Sequence, residues 1–199
     1  MKIEFFNKFK FKIKTINSLS KILNNKKNKK TTVMCHGVFD VVHPGHIRHL
    51  AFAKSKADIL IVSITADKHI KKGTYRPHVP QLLRALNLAA FEMVDFVVID
   101  ANKKPLNNIS KIKPDFFAKG FEYSNSKMPP ETKEEIKEIE KYGGKMIFTP
   151  GDIVYSSSGM LKLSLPDIKY EKILMLMKIN KISFNFLKKT ILEFKKLKV

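Results

Sequence analysis

Residues 31–46 read TTVMCHGVFDVVHPGH, and this stretch decides the fold. Its first seven residues are mostly β-branched or apolar and stop at Gly37, which predicts a buried strand. Pro44 then stands where a helix begins, and Ile47 and Leu50 follow it at helical spacing. A strand that turns directly into a helix is the repeating unit of a parallel α/β sheet.

The alternation of strand and helix continues along the chain. Further strands are predicted where apolar runs lie between turn residues, at 57–65, 95–100, 114–120 and 145–150. Helices are predicted where apolar residues recur at helical spacing, at 79–93, 105–113 and 129–144, and another opens at Ser156. We therefore predict an α/β fold, a Rossmann-like parallel sheet flanked by helices, with right-handed crossovers.

Composition divides the chain into three parts. A basic, partly helical lead-in segment is predicted at 1–30 and the main α/β domain at 31–165. Residues 166–199 carry apolar residues at helical spacing with lysines between them, which predicts a helical basic C-terminal extension. One interpretation of the extension is a membrane-surface segment. We favour packing on the domain or on a partner chain.

The net charge of +20 is typical of nucleic-acid-binding proteins, but its distribution argues against that function. Residues 1–30 hold ten lysines and one acid, and residues 166–199 hold nine lysines and three acids. Most of the excess therefore lies in the two ends, as lysine in the company of asparagine and isoleucine. We expect no nucleic-acid partner.

Cysteine content and hydropathy indicate the compartment. Cys35 is the only cysteine in the sequence, so no disulfide can form within the chain. No run approaches the roughly 20 apolar residues that span a bilayer, and lysines interrupt the N-terminus, unlike the apolar core of a signal peptide. We expect a cytoplasmic protein with no membrane span.

In parallel α/β sheets, ligands bind at the carboxyl ends of the strands. The segments that follow the predicted strands are therefore expected to surround one cleft, at 37–46, 65–77, 119–123 and 150–158. Every candidate motif of the chain falls within these four segments.

The segment 37–46, GVFDVVHPGH, suits the binding of phosphate. Gly37 lets the backbone approach a ligand, and Gly45 keeps side chains away from a helix N-terminus, whose free N–H groups attract anions. His43 and His46 can donate hydrogen bonds to phosphate oxygens as negative charge develops. A His-x-Gly-His spacing between a strand and a helix therefore predicts a nucleotide phosphate site.

This segment resembles the signature of the cytidylyltransferase-like nucleotidyltransferase superfamily, and the resemblance runs from about residue 32 to about residue 163. Within that superfamily the chain is similar to the domains found alongside ribokinase-type sugar kinases, as in bacterial ADP-heptose synthesis. Three further stretches support the resemblance: ITAD at 64–67 with Lys72-Gly73 and Arg76-Pro77 after it, KGFEY at 119–123, and YSSS at 155–158.

The resemblance implies an activity. The phosphate of a sugar phosphate or polyol phosphate attacks CTP or ATP in line, with Mg²⁺ and without a covalent enzyme intermediate, and pyrophosphate leaves. A separate sugar kinase is a candidate partner, because fused relatives join the transferase to such a kinase through a similar helical stretch. We also expect a homo-oligomer.

The resemblance also assigns roles to residues. The expected catalytic residues are His43, His46 and Lys72. The expected nucleotide-binding residues are Gly37, Val38, Phe39, Gly45, Arg84, Lys119, Glu122, Ser156, Ser157 and Ser158. The expected substrate-binding residues are Asp40 and Asp67, and no protein side chain is assigned to a metal.

Several of these residues have a structural alternative. Lys72 alone would be a solvated surface charge, and Arg84 a surface residue or one paired to a carboxylate. Asp40 could orient the loop or cap the helix, and Asp67 could be a turn residue. The three serines could cap a helix while they bind phosphate. Both members of each pair stay open at this point.

The histidine spacing permits a second interpretation, a zinc site. His43, His46 and His49 are three residues apart, and Cys35 and His36 are near. We disfavour zinc, because Pro44-Gly45 suits phosphate and no carboxylate or cysteine pair completes a tetrahedral set. His49 is then a structural or surface residue, and His36 either a hydrogen-bonded core histidine or a ligand contact.

Other functions remain for comparison. A catalytically inactive nucleotide-binding or regulatory partner of a sugar kinase would keep the fold and lose turnover. A class I aminoacyl-tRNA synthetase fragment would share the His-x-Gly-His motif, but the chain is short and has no Lys-Met-Ser-Lys-Ser-like loop. Departures from the superfamily pattern, Glu92 in place of an arginine and Lys-Gly-Thr-Tyr-Arg-Pro at 72–77, leave base and acceptor open.

Overall fold

The computed structural model describes residues 4–24, 30–71, 76–123 and 128–150, with five single residues further on: Met177, Ser183, Asn185, Phe186 and Glu193. The chain divides into two units, Met1–Tyr155 and Ser156–Val199. In the second unit, four of the described residues are helical and Phe186 is exposed. Within the described ranges, no helix is both long and apolar enough to cross a membrane.

The first unit is an α/β fold, as the sequence predicted. Its strands are β1 (Ile13–Lys14), β2 (Thr32–Gly37), β3 (Ile59–Thr65), β4 (Phe96–Asp100), β5 (Phe116–Gly120) and β6 (Lys145–Thr149). Its helices are α1 (Glu4–Lys10), α2 (Ile16–Asn24), α3 (Pro44–Lys54), α4 (Gln81–Ala89), α5 (Leu106–Ile112) and α6 (Pro130–Glu140). Single 3-10 turns follow β3 and β5, at Asp67–His69 and Phe121–Tyr123.

The strands form one parallel sheet in the order β1-β4-β3-β2-β5-β6. All seven residues of β3 are buried, which agrees with its nearly continuous apolar run. Successive side chains of a strand point to opposite faces of the sheet. Apolar residues therefore stand on both faces, and helices cover both. Each helical connection then leads the chain back to the start of another strand that runs in the same direction.

Two apolar layers hold the helices on the sheet. On one face, Leu50 of α3 and Leu88 of α4 pack with Leu60 and Val62 of β3. On the other face, the buried side chains of α2, α5 and α6 pack with the alternate residues of the strands; those helix side chains are Leu19, Ile109, Ile112 and Ile139. Each fully buried Leu or Ile contributes about 1.5–3 kcal/mol relative to an exposed one.

The lead-in segment takes part in this packing. Ile13 pairs with Val97 of β4, and Leu19 of α2 is fully buried. The Lys12 ammonium donates to the carbonyls of Phe91 and Val94, at 3.1 and 2.7 Å, just after α4. Residues 12–24 therefore supply an edge strand, a helix of the core and a cation at a helix C-terminus. A two-residue strand is too short to give a detectable pattern, so the sequence described this segment only as a lead-in.

Candidate active site

Parallel strands bring the predicted segments to one edge of the sheet. β2 ends at Gly37, β3 at Thr65, β5 at Gly120 and β6 at Thr149. Since neighbouring strands run in the same direction, the segments after them all begin at the carboxyl edge. The residues after β2, β3 and β5 thus lie where ligands bind in this class of fold.

Gly37 lacks a side chain for a reason that the sequence did not reveal. A Cβ atom at Gly37 would lie 3.0 Å from the ring of Phe39, which is tighter than ordinary contact. Phe39 has a left-handed backbone (φ 49°) and is 5% exposed. The missing Cβ therefore makes room for the inward-turned Phe39 ring. Close approach of a ligand to the Gly37 backbone stays a prediction.

The two motif histidines meet at the start of α3. His43 precedes Pro44, the first residue of the helix, and the His46 amide donates to the His43 carbonyl at 2.9 Å. The two imidazole rings pack against each other with centroids 3.8 Å apart and planes tilted by 31°, and the centre of the Phe39 ring lies 5.0 Å from that of His46. Gly45 is the second residue of the helix, so the helix N-terminus carries the two rings without another bulky side chain between them.

Both imidazoles are neutral at physiological pH. Burial lowers the pKa of His43, and burial with the nearby His43 and His49 lowers the pKa of His46 to about 4. Each neutral ring has one N–H to donate and one nitrogen that accepts. The Nδ1 atoms of both rings are buried and have no hydrogen-bond partner among the described residues. Polar atoms of this kind are candidates for ligand contact.

Arg84 of α4 is fully buried and bound by the protein. Its guanidinium donates to the carbonyls of Val38, Val79 (2.9 Å) and Thr65 (2.9 Å). It also pairs with the Asp67 carboxylate at 2.6 Å. Of the two structural alternatives, the structure supports pairing with a carboxylate rather than a surface position. A direct role in nucleotide binding stays a prediction.

The two aspartates expected to bind substrate are also engaged. Asp40 is 3% exposed, accepts from the Val79 amide at 3.0 Å and lies 3.6 Å from Arg76. The Asp67 carboxylate accepts from the Gln81 backbone N–H at 3.0 Å, and the Asp67 backbone N–H donates to the Gln81 side-chain oxygen at 3.0 Å. Asp40 joins the loop after β2 to the segment before α4, and Asp67 joins the turn after β3 to α4 itself. Substrate contact by either residue stays a prediction.

The Lys119 ammonium lies in a buried polar cluster near the carboxyl edge of the sheet. Its ammonium donates to the Thr132 hydroxyl at 3.0 Å and to the Glu135 carboxylate of α6. It also lies 4.6 Å from the centre of the Tyr123 ring. Burial raises the pKa of Glu135 while Lys119 opposes that shift. Lys119 thus fastens the end of β5 to α6, a role that the motif alone did not reveal.

The side chains of five expected site residues lie outside the part of the protein that the structure describes. Lys72 and the three serines Ser156, Ser157 and Ser158 lie outside the described residues, and the side chain of Glu122 is not described. Their assigned roles therefore stay predictions.

The other residues of the zinc interpretation, His49, His36 and Cys35, have contacts of their own. His49 Nδ1 lies 2.5 Å from the Thr149 hydroxyl at the end of β6, and Cys35 is buried in the core. His36 is hydrogen-bonded to Ser63 and Thr65, as expected of a core histidine. In the part of the chain that the structure describes, no group of three or more His, Cys, Asp or Glu side chains could hold a metal.

Sequence reasoning missed the partners of these residues. Four buried polar residues lie in predicted helices and strands: Ser63, Asn108, Thr132 and Glu135. The sequence pattern by itself would place polar residues of this kind at positions that face solvent. Polar residues at positions that the periodicity assigns to the core were the one available signal.

A Rossmann-like sheet with the two histidines at its carboxyl edge agrees with the class of protein that the chain's similarity to known proteins shows, a nucleotidyltransferase. The model of the cytidylyltransferase-like family matches residues 34–186, about three quarters of the chain. The chain therefore belongs to the cytidylyltransferase-like family.

Curated relatives include bifunctional proteins named HldE. The relative from Campylobacter fetus subsp. fetus is 42% identical over 131 residues, which cover 64% of this chain and 29% of the relative. That from Campylobacter jejuni serotype O:6 is 44% identical over 127 residues, covering 62% and 27%. The chain thus matches less than a third of the length of these relatives.

Two solved structures share the fold. The lipopolysaccharide core biosynthesis protein from Thermoplasma volcanium superposes with a TM-score of 0.53 at 24% identity and covers 62% of this chain and 99% of its own. The pantoate-beta-alanine ligase from Francisella tularensis gives 0.50 at 19% identity and covers 74% and 69%. At such identities the likeness concerns the fold alone.

Proposed function

We propose that this chain transfers a nucleoside monophosphate, CMP or AMP, from CTP or ATP to a sugar phosphate or polyol phosphate and releases pyrophosphate. The observation that carries the proposal is the closely packed pair of neutral histidines, His43 and His46, at the N-terminus of α3. Membership of the cytidylyltransferase-like family and similarity to the HldE proteins support it.

The reaction is a direct in-line displacement. A phosphate oxygen of the acceptor forms a bond to the α-phosphorus as the bond from that phosphorus to the bridging oxygen breaks. The electron pair leaves with pyrophosphate, so negative charge grows on the α-phosphate oxygens and on the leaving group. His43 and His46 each donate one N–H to those oxygens, and the free amides of the helix N-terminus attract the same charge.

Lys72 supplies the positive charge in this proposal. A lysine on a loop between two regular elements can meet the phosphates when the loop closes and excludes water. As a compact point charge, its ammonium stabilises oxygens whose charge grows during the displacement.

Mg²⁺ accompanies the nucleoside triphosphate in this proposal. It would be held mainly by phosphate oxygens and water, because Mg²⁺ gives up its waters reluctantly and usually binds through substrate phosphates with few protein ligands. No described residue is assigned to it. When bound, the ion neutralises phosphate charge.

A pyrophosphate-release screen tests the proposal. Four nucleoside triphosphates are incubated with a panel of sugar and polyol phosphates, and the product is identified by mass. We expect release that depends on one nucleotide and one class of acceptor. Nucleotide binding without release from any pair would instead favour an inactive partner of a sugar kinase, and binding to a purified kinase would then be measured. Light scattering on the same sample tests the proposed homo-oligomer.

A further inference from the structure

A chain of hydrogen bonds runs through the sheet below the carboxyl edge. Asn108 of α5 donates through Nδ2 to the Ser63 hydroxyl at 3.1 Å. The Ser63 hydroxyl lies 2.9 Å from His36 Nδ1, and His36 Nε2 lies 3.2 Å from the Thr65 hydroxyl. Ser63 and Asn108 are 0% and 2% exposed, so these groups have no access to solvent.

The imidazole of His36 stays neutral in this position. Burial and the positive charge of Lys119 lower the pKa of His36 to about 3. One ring nitrogen therefore carries a proton and the other accepts, and the two possible tautomers give the chain opposite directions.

Satisfaction of buried donors selects between the tautomers. With the proton on Nε2, the Ser63 O–H donates to Nδ1 and the ring donates to Thr65, so the donors of the fully buried Ser63 and of the His36 ring are both used. With the proton on Nδ1, the Ser63 oxygen accepts from both neighbours, and its own O–H has no acceptor in the described part of the protein. An unsatisfied donor at a fully buried residue is the costlier arrangement.

The selected direction leaves one donor at the end of the chain. Thr65 accepts from His36, and its own O–H then has no acceptor among the described residues. Thr65 is the last residue of β3 and is 9% exposed at the edge. Arg84 holds its carbonyl at 2.9 Å, so both the backbone and the hydroxyl of Thr65 are fixed.

The order of the strands indicates which ligand meets this hydroxyl. The motif histidines follow β2, and the predicted nucleotide segment with Lys119 follows β5, on one side of β2. β3 lies on the other side of β2 and leads into Asp67, one of the two aspartates that the sequence assigned to the acceptor; the other, Asp40, follows β2.

We propose that the Thr65 hydroxyl donates a hydrogen bond to an oxygen of the phosphorylated acceptor, and that His36 is the positioning residue that directs it. This inference rests on the proposed nucleotidyl transfer. Thr65 would then contribute to the affinity for the acceptor and leave the affinity for the nucleotide unchanged.

The tautomer can be measured without turnover. Long-range ¹H–¹⁵N NMR spectra of the wild-type chain separate protonated from unprotonated ring nitrogens, and His36→Gln assigns the signal. We expect His36 as the Nε2–H form, with no titration between pH 5 and 8. An Nδ1–H ring would reverse the direction of the hydrogen bonds from Ser63 to Thr65 and overturn the inference, whether or not the protein transfers nucleotides.

Kinetics of two variants test the ligand. Thr65→Val removes the donor, and Thr65→Ser keeps it. For Val we expect the KM for the acceptor to rise roughly three- to tenfold, the range for one neutral hydrogen bond, with the nucleotide Kd unchanged. Ser should restore the KM. Thr31→Val makes the same change at the opposite, amino edge, where the Thr31 hydroxyl donates to Asp58, and should leave both constants unaltered.

The failures can be told apart. A wild-type chain that releases no pyrophosphate contradicts the proposed function. Two results with an active wild-type chain would contradict the inference alone. In one, Thr65→Val keeps a normal KM for the acceptor; in the other, it weakens the binding of nucleotide and of acceptor equally. If Val prevents folding, Thr65→Ala leaves space for a water beside His36 and is tested in the same way.

Discussion

The guanidinium of Arg84 pairs with the carboxylate of Asp67 at 2.6 Å while the same side chain holds the carbonyl of Val38, 46 residues earlier. Arg84 therefore joins the loop after β2 to the turn after β3. Both segments belong to the candidate active site, so this one side chain fixes their separation.

Arg84→Met should destabilise the fold by about 3–5 kcal/mol, because it leaves carbonyls and a carboxylate without their buried partner. Arg84→Lys should recover little, since one ammonium cannot reproduce the guanidinium fork. Urea unfolding measures both. The control is Glu134→Gln, which breaks the solvent-exposed pair with Lys104 and should cost less than about 1 kcal/mol. Equal effects at the two sites would contradict the joining role.

His46→Ala should lower kcat by roughly 10²–10³, the usual cost of removing one donor to developing charge. The urea midpoint should stay close to that of the wild type, because His46 lies in the first turn of α3 and is only partly buried. Pyrophosphate release and unfolding are measured on the same sample. Near-normal turnover in this variant would disprove the assignment of the site.

Lys119 combines a predicted nucleotide contact with an observed ion pair, and a double change separates the two. Lys119→Met alone should cost about 3–5 kcal/mol, because Glu135 stays buried without a partner. Adding Glu135→Leu should restore most of the loss. If Lys119 also binds nucleotide, the double variant will be stable with a raised nucleotide Kd. A stable double variant with normal Kd would limit Lys119 to fastening β5 to α6.

Lys72→Ala tests the closing loop. If the ammonium meets the phosphates only during the displacement, kcat and kcat/KM should fall together while the nucleotide Kd changes little. A solvated surface lysine would leave kcat within about twofold of wild type. Loss of nucleotide affinity at normal kcat would make Lys72 a simple binding residue and exclude the closing-loop mechanism.

His49 makes stability depend on pH. Burial and the nearby Arg48 lower its pKa from 6.5 to about 4. Between these values the unfolded chain binds more protons than the folded one, so stability falls as pH falls from 6.5 towards 4. His49→Asn keeps a polar group facing Thr149 and does not titrate. Between pH 7 and pH 4 the variant should lose on the order of 2 kcal/mol less than the wild type, after allowance for partial exposure. Parallel urea midpoints at all pH values would contradict this.

Local pattern was enough to predict most of the elements. The strand before Gly37, the buried run of β3 and the helix that starts at Pro44 all agree with the structure. These features depend on residues a few positions apart, since apolar periodicity and helix-start signals act over one or two turns. β1 was not predicted, because two residues are too few to show the alternation of apolar and polar residues that marks a strand.

The sequence by itself determined the parallel α/β sheet and the His43–His46 motif at a helix start, and it predicted the carboxyl edge as the ligand side. Only the tertiary structure decided what the polar side chains of that edge contact. Gly37 makes room for Phe39, Arg84 binds three carbonyls, and His36 is joined to Ser63 and Thr65. Their partners lie from 2 to 46 residues away along the chain, mostly on other elements, and periodicity within one element carries no information about which distant donor and acceptor the packing brings together.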